Sequence, residues 1–165
     1  MFRGFIETTR GARKLTRYFK TIAELNQLQA LLTKGSNDNL LLALNIVQKL
    51  GMANYWLWDN LVYLKKAKFV KSDVDFNYYA NLGWTFGLVF SILLALKNIK
   101  ENLDQEAKLA RNPDSKGDLN KSLANVRAAR SKLIWNLIAN LGDLTVSSNA
   151  IQLPHKLLGS GFNDG

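Results

Sequence analysis

The chain has 165 residues, 47% of them hydrophobic, no cysteine and a formal net charge of +9. That length buries one core and argues for a single helical domain over 1–165, while the absence of thiols excludes disulfides, thiol catalysis and cysteine metal sites. The positive balance calls for an anionic partner, and where the charge lies decides which one.

Prolines occur only at 113 and 154, and Leu, Ala, Lys and Asn outnumber β-branched residues. The chain therefore reads as all-α, a membrane-associated bundle of about four long helices with an N-terminal basic amphipathic helix. The first element covers 1–32. In MFRGFIETTRGARKLTRYFKTIAEL, Arg3, Arg10, Arg13, Lys14, Arg17 and Lys20 share one side of the helical wheel, with Phe5, Leu15, Tyr18, Phe19 and Ile22 on the other. Cations over anionic headgroups and aromatics among acyl chains define an interfacial helix, so the expected partner is a phospholipid membrane. The same pattern suits a solvated bundle face or an Arg-rich mitochondrial targeting segment. Nucleic acid fits less well, because no recognised fold motif accompanies the charge. TKGSNDN, 33–39, follows as a loop rich in cap-forming residues.

The second element, 40–64, is apolar on the side of Ile46, Val47, Leu50, Leu57, Trp58, Leu61 and Val62, with Asn54 the exception. Asn45, Gln48, Lys49, Trp56, Asp59 and Tyr63 share the other side. An ionised acid beside Trp56 and Trp58 is costly to desolvate unless it is paired. Lys49 stands about 15 Å along the axis from Asp59, too far to pair with it. The partner of Asp59 must come from another helix, from headgroups or from water, and Asn60 is expected to add an interhelical contact. Lys65, Lys66, Lys68 and Lys71 close the segment.

Ser72 and Asp73 suit the start of a third helix, 76–98. Its run FNYYANLGWTFGLVFSILLAL has 21 residues without a formal charge, enough to cross the ~30 Å hydrocarbon layer at ~1.5 Å per residue. Tyr78, Tyr79 and Trp84 lie towards one end and Lys97 and Lys100 close the other, as at membrane interfaces. Gly83, Gly87 and Ser91 form a small-residue stripe that admits close helix packing. A buried helix in a soluble bundle competes with this reading, and Asn77 and Asn81 favour it. ENLDQEAKLARNPDSKGDLN, 101–120, reads as a solvated loop with a helical beginning.

The fourth element, 121–153, is closed by Pro154. Within it Asn136, Asn140, Asp143 and Ser147 fall on one narrow stripe of an otherwise apolar segment. Two apolar helices thus each carry one acid on a polar seam, and the seams are expected to face each other or a common polar interior. Paired carboxylates can serve acid–base chemistry, but no nucleophile motif or phosphate loop accompanies them and His155 stands alone. The chain reads as non-enzymatic, without cofactor or metal.

ARKLTRYFKTIAEL, YWLWDNLVYLKKAKFV, the tyrosine-rich helix leading into LLALKNI, and NLGDLTVSSNAIQLPHKLLGSG together resemble the peroxin 11 family of peroxisomal membrane proteins. The most specific parts are the basic segment at 13–22, DNLVYL at 59–64 and NLGDL at 140–144. The resemblance implies a protein that inserts an amphipathic helix, elongates peroxisomes before fission and self-associates, or that forms a small-metabolite channel. Family members have a longer soluble region before the basic helix and a further apolar helix after LLGSGFNDG. These departures leave open a structural accessory subunit of a larger complex, for instance in the mitochondrial inner membrane. Lysines flank the apolar helices on both sides, so the charge rule does not orient the chain.

Overall fold

The computed structural model describes residues 19–35, 38–111 and 116–161, and among these every regular element is helical. They are α1 (Lys20–Lys34), α2 (Asn39–Lys66), α3 (Phe76–Arg111), α4 (Lys116–Ala150) and α5 (Leu153–Leu158). The expected Arg3, Arg10, Arg13, Lys14 and Arg17 face lies outside the described residues.

Local chemistry sets the boundaries. Gly35 ends α1 in a backbone conformation with φ +63° that side chains disfavour. Asp38 caps α2, its Oδ1 accepting the Leu41 N–H at 2.9 Å. At the start of α3 the capping acid is Asp75 rather than the expected Ser72 or Asp73: its Oδ1 accepts from the N–H groups of Asn77 and Tyr78 at 3.0 and 3.2 Å. Ser72 instead folds its hydroxyl back to accept the N–H of Val74. Pro154 does not close α4. The helix stops at Ala150, Gln152 turns the chain in the left-handed region with φ 57°, and Pro154 sits in the first turn of α5.

The solvated loop expected over 101–120 is largely helical. α3 runs for 36 residues and α4 for 35, so α3 is about 54 Å long, well beyond the ~30 Å that a bilayer core requires. Residues 97–111 therefore carry the helix past its apolar run, and the first half of α4 packs alongside. Mixed charges suggested a loop, but they pair across the hairpin. Glu106 accepts from Arg127 Nε at 2.7 Å and from Arg130, and buried Asn102 donates to the Val126 carbonyl at 3.1 Å.

α2 and α4 pack chiefly on α3, α1 on α2, and α5 on α4, so α3 is the middle of the layer. The buried positions of α2 and α3 include the small residues Gly51, Ala53, Ala80, Gly83, Gly87 and Ala95, alongside the larger Trp56, Val62, Phe76, Leu88 and Leu94. A Cβ at Gly51 would lie 2.8 Å from the backbone N and Cα of Gly87, and one at Gly83 would lie 3.0 Å from the Tyr55 amide nitrogen. The two helices touch backbone to backbone, which only glycine allows.

Candidate functional site: an apolar belt and a polar flank

Leu82, Phe86, Val89, Leu93 and Leu96 are all exposed, and their spacing of three and four residues puts them on one face of α3. Leu40 and Leu44 of α2 share a groove with Leu93 and Leu96. On the other edge of α3, Val89 shares a groove with Leu141 and Leu144 of α4. The apolar faces of three helices thus lie on one side of the layer and form a continuous belt. Large apolar residues on this outer face would leave an oversized hydrophobic patch in water, and suit lipid.

Aromatic and basic side chains bound the belt at the α2–α3 turn. Trp58 stacks on Tyr79 with centroids 5.1 Å apart, and Tyr55 stacks on Trp84 at 5.5 Å. Lys65 donates to the Val74 carbonyl at 3.0 Å, and the exposed Lys66, Lys68 and Lys71 surround this turn. At the opposite end Lys97 pairs with Asp38 and, at 2.9 Å, with Glu101. The hydrogen bond from Lys97, reinforced by the Leu41 N–H, holds the Asp38 carboxyl below the ordinary aspartate range.

Asp59 is half-buried and lies roughly opposite the exposed Leu50 and Leu57 around α2. Its neighbour Asn60 reaches Thr21 of α1 through a long 3.5 Å hydrogen bond. Lys49, too far from Asp59, pairs instead with Glu24 of α1 at 3.0 Å. Asn54, the polar exception on the apolar side, accepts the Trp58 indole N–H at 3.0 Å one turn away. Lys20 is exposed, with its ammonium 4.3 Å from the Trp56 ring centroid.

On α4, Asn136 and Asp143 are exposed and Asn140 is half-buried. Ser147 is fully buried, and its hydroxyl bonds within the helix to the Leu144 carbonyl at 3.3 Å. α3 stands between the helices that carry Asp59 and Asp143, so the two seams do not pack on each other. Gly83 and Gly87 lie in the α2–α3 contact, while Ser91 is half-buried beside it. Gly51, Asn102 and the Glu106 ion pairs had no periodic signal in the sequence; their roles emerge only when helices are set side by side. No group of His, Cys, Asp and Glu among the described residues is arranged to hold a metal ion.

Among the described residues one helix, α3, is long and apolar enough to cross a membrane, and the belt extends its apolar surface over both neighbours, the surface of a helical membrane protein. The chain matches the peroxisomal biogenesis factor 11 family over residues 2–161. It belongs to that family and is a protein of the peroxisomal membrane. It is similar to the peroxisomal membrane protein 11 homolog of Dictyostelium discoideum, with 33% identity over 106 residues, covering 63% of this chain and 42% of that relative. The match thus spans less than half of that relative's length. No solved structure matches the chain.

Proposed function

We propose that the chain shapes the peroxisomal membrane without catalysing a reaction. The apolar belt seats α2, α3 and α4 in the bilayer, and the basic N-terminal segment adds area to one leaflet. Inserting an amphipathic wedge between headgroups expands that leaflet and favours curvature, which elongates the organelle before division. The observation that carries this reading is the outward belt of Leu82, Phe86, Val89, Leu93 and Leu96 on α3, a helix long and apolar enough to cross a membrane. Anionic headgroups are the partner of Arg3, Arg10, Arg13, Lys14, Arg17 and Lys20.

The full chain, added to phosphatidylserine-containing vesicles, is expected to draw tubules visible by electron microscopy. Exchanging Arg10, Arg13, Arg17 and Lys20 for Glu should abolish both binding and tubulation, and undiminished tubulation by that variant would refute the proposal. A second reading, self-association around the polar flank or a small-metabolite pore along it, is favoured by the exposure of Asn136 and Asp143 on an apolar helix. Conductance across planar bilayers that changes in Asp143→Asn would favour the pore. An accessory subunit would instead co-purify in fixed ratio with a larger complex and would not tubulate vesicles alone.

A further inference from the structure

We propose that the groove between α3, α4 and α5 holds one acyl chain of a phospholipid whose anionic headgroup is bound by Lys156. The groove has a volume of about 380 Å³ and is walled by Thr85 and Val89 of α3, Leu141, Leu144 and Thr145 of α4, and Leu157 of α5. That volume falls in the range of small-molecule sites, about 300–1,000 Å³. Its α4 hydroxyls are already spent: Thr145 donates to the Gly142 carbonyl at 2.6 Å and Ser148 to the Thr145 carbonyl at 3.2 Å. What these walls offer an occupant is apolar surface.

The left-handed turn at Gln152 swings α5 back, so that Pro154 and Leu157 close the groove at the end where Lys156 lies. Lys156 is exposed, with its ammonium 5.5 Å from the Tyr78 ring centroid, and no acid pairs with it among the described residues. Tyr78 marks the level of the aromatic girdle, where headgroups sit. From Tyr78 to Val89 the helix rises about 16 Å, close to half the ~30 Å hydrocarbon thickness. The wall at Val89 therefore lies about one leaflet below the level of Lys156, with the cation at headgroup level and the groove walls at acyl depth. It is also continuous with the belt. A peptide would have to compete there with lipid already present, whereas an acyl chain is the surrounding solvent. Lys65, Lys66, Lys68 and Lys71 at the same end concentrate anionic lipid near the mouth. The site rests on the reading that the belt faces lipid.

Electron paramagnetic resonance of the full chain in phosphatidylcholine vesicles, doped with acyl-chain spin-labelled phosphatidylserine or phosphatidylcholine, tests this. An immobilised component several-fold larger for phosphatidylserine is expected. Lys156→Glu should bring it to the phosphatidylcholine level, whereas Lys71→Glu at the loop, which only concentrates lipid near the mouth, should lower it slightly. Thr145→Trp, which fills the groove from an exposed position, should remove it. Circular dichroism follows the fold of each variant, and Lys156→Glu, at the surface, carries the test if Thr145→Trp unfolds. Equal immobilisation of both lipids, or equal losses in Lys156→Glu and Lys71→Glu, would overturn the site. A chain that resists alkaline extraction while failing this test contradicts the groove alone; one that is extracted contradicts the belt as well.

Discussion

One added methyl group distinguishes the glycines of this chain. Gly51→Ala drives a Cβ against the backbone of Gly87 at 2.8 Å, and neither atom can move without separating α2 from α3. Overpacking of this kind costs about 1–3 kcal/mol, which a lowered midpoint in thermal unfolding of the detergent-solubilised chain would reveal. A Cβ at Gly142 would meet nothing within 4 Å, so Gly142→Ala should be neutral or stabilise by up to about 1 kcal/mol through helix propensity. The stripe of Gly83 and Gly87 is legible in the sequence because it repeats every four residues. Gly51 has no such partner on its own helix, and its role emerges only across the interface. The acids differ too. Asp59, half-buried, should cost about 1–3 kcal/mol when replaced by Leu, whereas Asp143→Leu, at an exposed position, should leave the unfolding midpoint of the single chain nearly unchanged and alter its self-association on size-exclusion chromatography.

Helix ends carry the electrostatics. Asp38 both caps α2 and binds Lys97 of α3, tying the start of one helix to the middle of the other. Because pairing lowers its carboxyl in the folded chain, its contribution is complete above the ordinary aspartate value of about 3.9 and is lost as pH falls through the lower folded value. The stability difference between wild type and Asp38→Asn should therefore stay constant at neutral pH and shrink only in strong acid, as thermal melts across pH would register. At the far end of α3, Glu106 meets two arginines of α4. Glu106→Gln should loosen this hairpin locally, with faster amide exchange over 97–111 and little change over 76–96. Composition made 101–120 look like loop, since charges of both signs, a proline and a glycine crowd there. Charge spacing on a single helix cannot reveal that Glu106 and Arg127 face each other across two helices. The apolar run 76–96, by contrast, is read directly from the sequence, because crossing a bilayer needs length and the absence of charge, both local properties.

The molecule as a whole is a layer with unlike sides. On the proposed orientation the exposed apolar positions of α2, α3 and α4 face lipid together, and the polar positions Asp59, Asn136 and Asp143 are turned away from it. The sequence distinguishes apolar from polar sides for α2 and α4 separately, but not the order of packing, with α3 central and the Asp59 and Asp143 helices on its two edges. That order is why the seams do not meet. Because the chain contains no cysteine, single cysteines can be introduced from position 82 to 96 and spin-labelled without interference. Oxygen accessibility in vesicles should peak at Leu82, Phe86, Val89 and Leu93 and fall to minima at Gly83, Gly87 and Leu94. A flat profile, or maxima at the glycine positions, would contradict a layer that turns its large apolar residues to lipid.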